Sequence, residues 1–121
     1  MLTIIHGADF HLDAPFAALP PDKARQRREE QRQLLDRLAD LAQEVRADLV
    51  LLSGDLLDSS QTYQETVEAL SRTLGQIQVP VFIAPGNHDC YGPRSVYANT
   101  PWPDNVHIFS TPQMEAVELS E

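Results

Sequence analysis

Short apolar runs recur along this chain and are separated by two long amphipathic stretches. The runs at residues 3–8, 49–53, 81–84 and 106–109 predict four β-strands. Roughly alternating apolar positions over residues 114–119 predict the start of a fifth strand. The run at 49–53 is apolar almost throughout, which is typical of a buried strand in a parallel sheet.

The two amphipathic stretches predict helices at about residues 22–46 and 62–78. The apolar stripe of the first helix consists of Leu34, Leu38, Leu41 and Val45, widened by Leu35 and Ala42. Residues 23–33 of this helix are almost entirely polar, so we expect them to project into solvent or to meet a partner. The β-α-β-α-β order predicts an α/β fold with mainly parallel strands and right-handed crossovers. No helix follows the last predicted strand, so we expect residues 1–121 to form a single, incomplete domain.

Composition and charge limit the classes of function. The chain of 121 residues has a net charge of −9, and residues 48–121 carry only Arg72 and Arg94 as basic groups. Such a protein repels phosphate groups and is not a natural non-specific binder of DNA. No apolar run is long enough to span a membrane, and no basic segment at the N-terminus indicates a signal peptide. The chain has one cysteine, so an internal disulfide is impossible, which fits a reducing cytoplasm.

Three polar blocks closely follow predicted strands: Asp9-Phe10-His11, Gly54-Asp55 and Gly86-Asn87-His88-Asp89. The carboxyl ends of parallel strands meet at one edge of a sheet, where ligands bind, so we expect the three blocks to converge. Carboxylate, imidazole and amide groups are the ligands that Mn, Fe and Zn accept. The blocks therefore predict a metal centre at this edge of the sheet.

The three blocks differ in how specific they are. Asp9 and His11 are spaced to chelate one cation, although Asp-x-His is common by chance. Gly54 permits a sharp turn, after which the Asp55 carboxylate can bridge two cations. The third block is the most specific, because an asparagine oxygen can bind a second metal while the neighbouring histidine reaches a substrate oxygen.

The three blocks in this order resemble the calcineurin-like metallophosphoesterase superfamily, over nearly the whole chain to about Phe109. The resemblance implies the N-terminal part of an α/β/β/α sandwich. It also implies two divalent metal ions, with Mn favoured over Fe or Zn. The implied roles are metal one for Asp9 and His11, a bridge between the metals for Asp55, metal two for Asn87, contact with the phosphoryl oxygen or leaving group for His88, and orientation of His88 for Asp89.

The sequence around the blocks narrows the resemblance. Residues 5–16 and 54–58 are similar to the SbcD and YhaO type of DNA-repair exonuclease subunit. The protein Ser/Thr phosphatases differ, since they have Arg-Gly after the second block and Glu at the end of the third. Cyclic-nucleotide phosphodiesterases remain an alternative. The implied activity is hydrolysis of DNA or another phosphodiester, and the implied partner is an SbcC-like ATPase.

The chain also departs from the family pattern. Members carry a further histidine and then a Gly-His-x-His block, and this sequence has no such block. Metal two would keep only Asp55 and Asn87, so we expect the isolated chain to be inactive. The rival hypothesis is a truncated, non-catalytic binding or scaffold relative. We also expect self-association through the unfinished sheet edge.

Four other polar residues have two interpretations each. His6 lies within a predicted strand, where a hydrogen-bonded histidine is favoured over a metal ligand. His107 is a weak candidate for a substitute ligand. Asp13 and Asp58 either support the metal ligands or cap loops.

Overall fold

The computed structural model describes residues 1–58 and 62–119. The strands are β1 (Ile4–Gly7), β2 (Leu49–Ser53), β3 (Val81–Ala84) and β4 (Val106–Ile108). The helices are α1 (Pro21–Glu44), α2 (Gln64–Ile77) and α3 (Val96–Asn99). The predicted α/β class and the alternation of strands and helices are confirmed.

The strands form one parallel sheet in the order β1-β2-β3-β4. Each crossover therefore moves in the same direction, and right-handed crossovers then place α1 and α2 on the same face. Burial agrees with this arrangement, because Val50 and Ile83 on one face are fully buried whereas Ile4 and His6 on the other are exposed. All four strands consequently present their carboxyl ends to one edge of the sheet.

The core lies between the sheet and the paired helices. From α2 it receives Val67, Leu70 and Leu74. From α1 it receives Leu35, Leu38 and Ala42, whereas three members of the predicted stripe, Leu34, Leu41 and Val45, are exposed. The predicted stripe thus lies to one side of the buried face, because the contact with α2 and the sheet selects which part of a wide apolar surface becomes covered.

Two further differences from the prediction lie near the C-terminus. Residues 114–119 do not form a strand, and Met114, Val117 and Leu119 are exposed. Alternation alone does not create a strand, because a strand needs a neighbour to accept its backbone hydrogen bonds. The predicted loop at 90–105 contains the short helix α3, whose first turn is capped by the Ser95 hydroxyl, which accepts from the Ala98 N–H.

In the described ranges 1–58 and 62–119, no helix combines the length and the apolar character needed to cross a membrane.

Candidate metal centre

The loops that follow β1 and β2 run side by side beyond the sheet. The Asp9 N–H donates to the Gly54 carbonyl at 3.0 Å, and the His11 N–H donates to the Asp55 carbonyl at 2.9 Å. A bridge between Leu12 and Leu57 extends this pairing, and both leucine side chains are buried. The first two polar blocks are therefore fixed to each other by backbone hydrogen bonds as well as by packing.

The backbone in these two loops adopts left-handed conformations. The φ angles are 58° at Asp9, 48° at His11 and 51° at Asp55, with 81° at Gly54. A positive φ is uncommon for residues with a side chain, and such strain concentrates at functional sites. Here it turns the side chains of both blocks away from the strand direction that a regular sheet would give them.

The loop after β3 approaches the loop after β2 closely at Gly86. A Cβ atom at this position would lie 2.5 Å from the backbone nitrogen of Asp55 and 2.9 Å from Cα of Gly54. Only glycine fits such an approach. The third polar block is consequently held directly against the second.

Three side chains from the three blocks come together at this edge. Ligand atoms of His11, Asp55 and His88 all lie within 4.8 Å of one another. Asp9 Oδ1 lies 4.0 Å from Nε2 of His11, so Asp9 borders the same group. The fifth expected ligand, Asn87, is exposed on the third loop between Gly86 and His88.

The His11 ring is oriented by a carboxylate. Nδ1 of His11 lies 3.1 Å from Oδ1 of Asp58, and both side chains are partly buried. A carboxylate on one ring nitrogen fixes the orientation of an imidazole and leaves the other nitrogen to act as a ligand. Of the two interpretations offered for Asp58, the contact supports the one in which Asp58 supports a ligand.

Asp55 and His88 form a pair. The His88 N–H donates to Oδ1 of Asp55 at 2.8 Å, and Nδ1 of His88 lies 3.2 Å from Oδ2. Donation from the His88 backbone N–H, reinforced by the His88 ring, lowers the pKa of Asp55 below its ordinary value. The hydrogen bond to Asp55, together with its negative charge, raises the pKa of His88. Asp55 therefore favours its ionised form and His88 its protonated form.

The contacts of Asp89 differ from the expected role. Its buried carboxylate accepts from the backbone N–H groups of Gly86, Asp55 and Leu57 and from the Tyr97 hydroxyl. These four donors fill the lone-pair sites of one carboxylate. His88 is oriented instead by Asp55, and Asp89 ties the loops together. Sequence reasoning missed Tyr97 altogether, since nothing distinguishes a tyrosine within a proline-rich loop.

Asp13 acts away from the cluster. It accepts from the N–H of Tyr63 just before α2 at 3.0 Å and pairs with Arg32 of α1 at 3.2 Å. Of its two interpretations, the contacts support the structural one, because Asp13 ties the first loop to both helices.

The other two histidines lie outside the cluster. Nε2 of His6 lies 3.1 Å from the Ser53 hydroxyl, and His107 contacts Glu115. In the part of the chain that the structure describes, neither belongs to the group of potential metal ligands. His6 follows the favoured interpretation, and His107 does not supply a substitute ligand here.

The donor set fits a divalent cation. It combines imidazole nitrogen with carboxylate oxygen, which suits Zn, Fe and Mn, and it is mounted on loops held by backbone hydrogen bonds. The close approach of like-charged carboxylates is also eased by a cation. The arrangement can therefore hold a metal ion and present His88 beside it.

Comparison with known proteins agrees with this geometry. The chain is 33% identical over 116 residues to a protein of Bacillus subtilis named uncharacterized metallophosphoesterase YhaO, which covers 91% of this chain and 28% of that protein. It is 25% identical over 121 residues to the SbcD component of the SbcCD nuclease of Staphylococcus epidermidis, which covers 97% of this chain and 30% of that protein. The chain thus spans less than a third of the length of either relative.

The family model for calcineurin-like phosphoesterases matches residues 2–118, nearly the whole chain. This match includes all three polar blocks and the four strands whose ends carry them. The chain therefore belongs to the calcineurin-like phosphoesterase family.

Proposed function

We propose that the protein to which this chain contributes hydrolyses phosphodiesters with the help of divalent metal ions, and that DNA is its substrate. The observation that carries the proposal is the convergence of His11, Asp55 and His88 within 4.8 Å at the carboxyl edge of the sheet. Similarity to a nuclease component supports DNA over other phosphodiesters. A cytoplasmic location and an SbcC-like ATPase partner belong to the same proposal.

The proposal assigns a role to each residue of the site. Asp9 and His11 hold metal one, Asp55 bridges both metals, and Asn87 holds metal two. Bound divalent cations, with Mn favoured, would activate water and stabilise charge on the phosphoryl oxygens. Asp58 keeps the His11 ring in place, since it lies 3.1 Å from Nδ1.

His88 is the proposed acid. Its pKa is raised by Asp55, so in the metal-free site it favours the protonated form that can donate to a phosphoryl oxygen or a leaving group. Its side chain is half exposed, which leaves the ring accessible to a substrate. Asp55 and the His88 backbone N–H together set the position of this ring.

A non-catalytic binding or scaffold role is the second candidate for the isolated chain. The observation in its favour is that His6 and His107 have partners elsewhere and lie outside the cluster found among residues 1–58 and 62–119. Metal two would then depend on Asp55 and Asn87. A site with two protein ligands, one of them shared, is expected to be mostly empty at micromolar metal.

Calorimetry with Mn tests the metal centre in this chain. We expect binding of one Mn, and we expect Asp55→Asn to weaken it at least tenfold, because the carboxylate is the central member of the cluster. Asp36→Asn, the same change on an exposed face of α1, is the matched control and should leave binding unchanged. Equal binding by wild type and Asp55→Asn would refute the proposed site.

Hydrolysis by the full-length product of the gene tests the substrate class. We expect cleavage of bis-p-nitrophenyl phosphate and of DNA in the presence of Mn, and we expect His88→Ala to reduce kcat more than it changes KM, because the contact matters most where charge develops. Activity on phosphoproteins without activity on diesters would place the protein in another branch of the family.

A further inference from the structure

Asp89 connects the two loops that carry the second and third polar blocks. Its Oδ1 atom accepts from the Gly86 N–H at 2.7 Å and from the Asp55 N–H at 3.2 Å. Its Oδ2 atom accepts from the Leu57 N–H at 3.1 Å and from the Tyr97 hydroxyl. The carboxylate is 5% exposed, so these hydrogen bonds are shielded from competition with water.

The Tyr97 hydroxyl is the side-chain donor among the four. Tyr97 is 4% exposed, and burial, reinforced by its hydrogen bond to Asp89, raises the pKa of the phenol well above its ordinary value of 10.0. The hydroxyl therefore keeps its proton and acts as a donor to Asp89. Its loss would leave one oxygen of a buried carboxylate with a single donor, which is costly.

The Tyr97 ring is itself held firmly. It lies in α3, whose first turn is capped by Ser95. Trp102 donates from Nε1 to the Tyr97 carbonyl at 3.1 Å, and the two ring centres are 6.1 Å apart. The ring also packs within the hydrophobic core. Tyr97 can thus transmit a fixed position to Asp89.

We propose that Tyr97 is a positioning residue for the metal centre, acting through Asp89 to hold the Asp55 loop and the Asn87-His88 loop at the separation that metal binding requires. The inference rests on the proposed metal centre. Neither Tyr97 nor Asp89 belongs to the cluster of His11, Asp55 and His88, so the effect on the metal is indirect.

Tyr97→Phe in the 121-residue chain tests this, because it removes the hydroxyl and keeps the ring. We expect about tenfold weaker Mn binding by calorimetry, the lower end of the effect usual for residues that support metal ligands. We also expect faster hydrogen exchange in the metal-free chain at the Leu57 and Asp55 amides, since both donate to Asp89. The exchange measurement reads the loop connection without any metal.

Two control variants separate positioning from general destabilisation. Tyr91→Phe makes the same chemical change at an exposed tyrosine in the same loop region and should leave Mn affinity unchanged. Trp102→Phe loosens the packing around Tyr97 while keeping its hydroxyl, so it should lower stability with less than a threefold change in Mn affinity. A role of Tyr97 in stability alone would instead give Tyr97→Phe and Trp102→Phe similar Mn affinities.

The outcomes distinguish this inference from the proposed function. If wild type binds Mn and Tyr97→Phe binds it equally well, the inference is wrong while the metal centre stands. If wild type binds no Mn, the metal centre is wrong and the inference is refuted with it. Tenfold weaker binding with faster exchange at Leu57, and neither change in Tyr91→Phe, would support the inference.

Discussion

His88 holds both oxygen atoms of the Asp55 carboxylate, one through its backbone N–H at 2.8 Å and the other through Nδ1 at 3.2 Å. The two residues come from loops that follow different strands, β2 and β3. A cation that binds Asp55 must therefore compete with the His88 ring, and its binding would free that ring for a substrate. The state of this pair in the metal-free chain is directly measurable.

The first prediction concerns the titration of His88 after removal of metal with EDTA. We expect its midpoint in an NMR titration to lie above the ordinary value of 6.5, because Asp55 stabilises the protonated ring. Asp55→Asn should move the midpoint back toward 6.5, whereas Asp36→Asn should not move it. A midpoint below 6.5 in wild type would contradict the pairing of the two residues.

The same pair gives a sign for the dependence of stability on pH. The raised pKa of His88 contributes stability below 6.5 that is lost as pH rises through the folded-state value. The lowered pKa of Asp55 contributes stability above 3.8 that is lost as pH falls through its folded-state value. The difference in unfolding free energy between wild type and Asp55→Asn should therefore be largest between pH 3.8 and 6.5.

A second prediction concerns the close approach at Gly86. Gly86→Ala places a Cβ atom 2.5 Å from the Asp55 nitrogen, so the two loops must separate. We expect a loss of about 1–3 kcal/mol in the free energy of unfolding, as for other overpacked sites, together with weaker Mn binding. Gly92→Ala is the matched control, since an added Cβ there meets no atom within 4 Å. Equal stability of the two variants in urea would mean that the loops are not in contact.

The buried ion pair of Asp13 and Arg32 gives a third prediction. The Asp13 side chain is 3% exposed and accepts from both Arg32 and the Tyr63 N–H. Asp13→Ala should lower the free energy of unfolding by about 1.5–3 kcal/mol, the usual range for hydrogen bonds to a charged group. Asp36→Ala, on an exposed face of α1, should change it by less than about 0.5 kcal/mol. A similar effect of both changes in urea unfolding would show that the pair contributes little.

The fourth prediction concerns turnover by this chain alone. We expect little or no hydrolysis of bis-p-nitrophenyl phosphate across a Mn series, because a two-metal mechanism needs both cations and metal two has few protein ligands here. We also expect self-association in light scattering, because β1 and β4 are edge strands and Ile4 beside one edge is 46% exposed. Robust turnover by a monodisperse monomer would overturn the expectation based on missing ligands.

Much of the fold could be predicted because it depends on local patterns. The bounds of β2 and β3 coincide with the predicted runs at 49–53 and 81–84, since continuous apolar runs of this length have few alternatives to a buried strand. The position of Asp9, Asp55 and His88 at one edge followed from parallel topology alone. These features need no knowledge of which side chains touch.

Other features depend on contacts between segments far apart in the sequence. The alternation at 114–119 predicts a strand, but no neighbouring strand pairs with it in the described chain, and it remains irregular. The buried face of α1 is centred on Leu35 and Leu38 rather than on Leu34 and Leu41, because packing against α2 and the sheet chooses among adjacent apolar positions. A helical pattern gives a period, and tertiary packing gives the angle of rotation.

The site divides in the same way. The sequence by itself determined which residue types stand at the strand ends and therefore that a metal centre is expected there. The tertiary structure decided that Asp58 orients His11, that Asp55 rather than Asp89 holds His88, and that Tyr97 supports Asp89. A carboxylate next to a histidine in sequence is not its partner when backbone N–H groups from two other segments reach that carboxylate first, and only the folded chain brings those donors together.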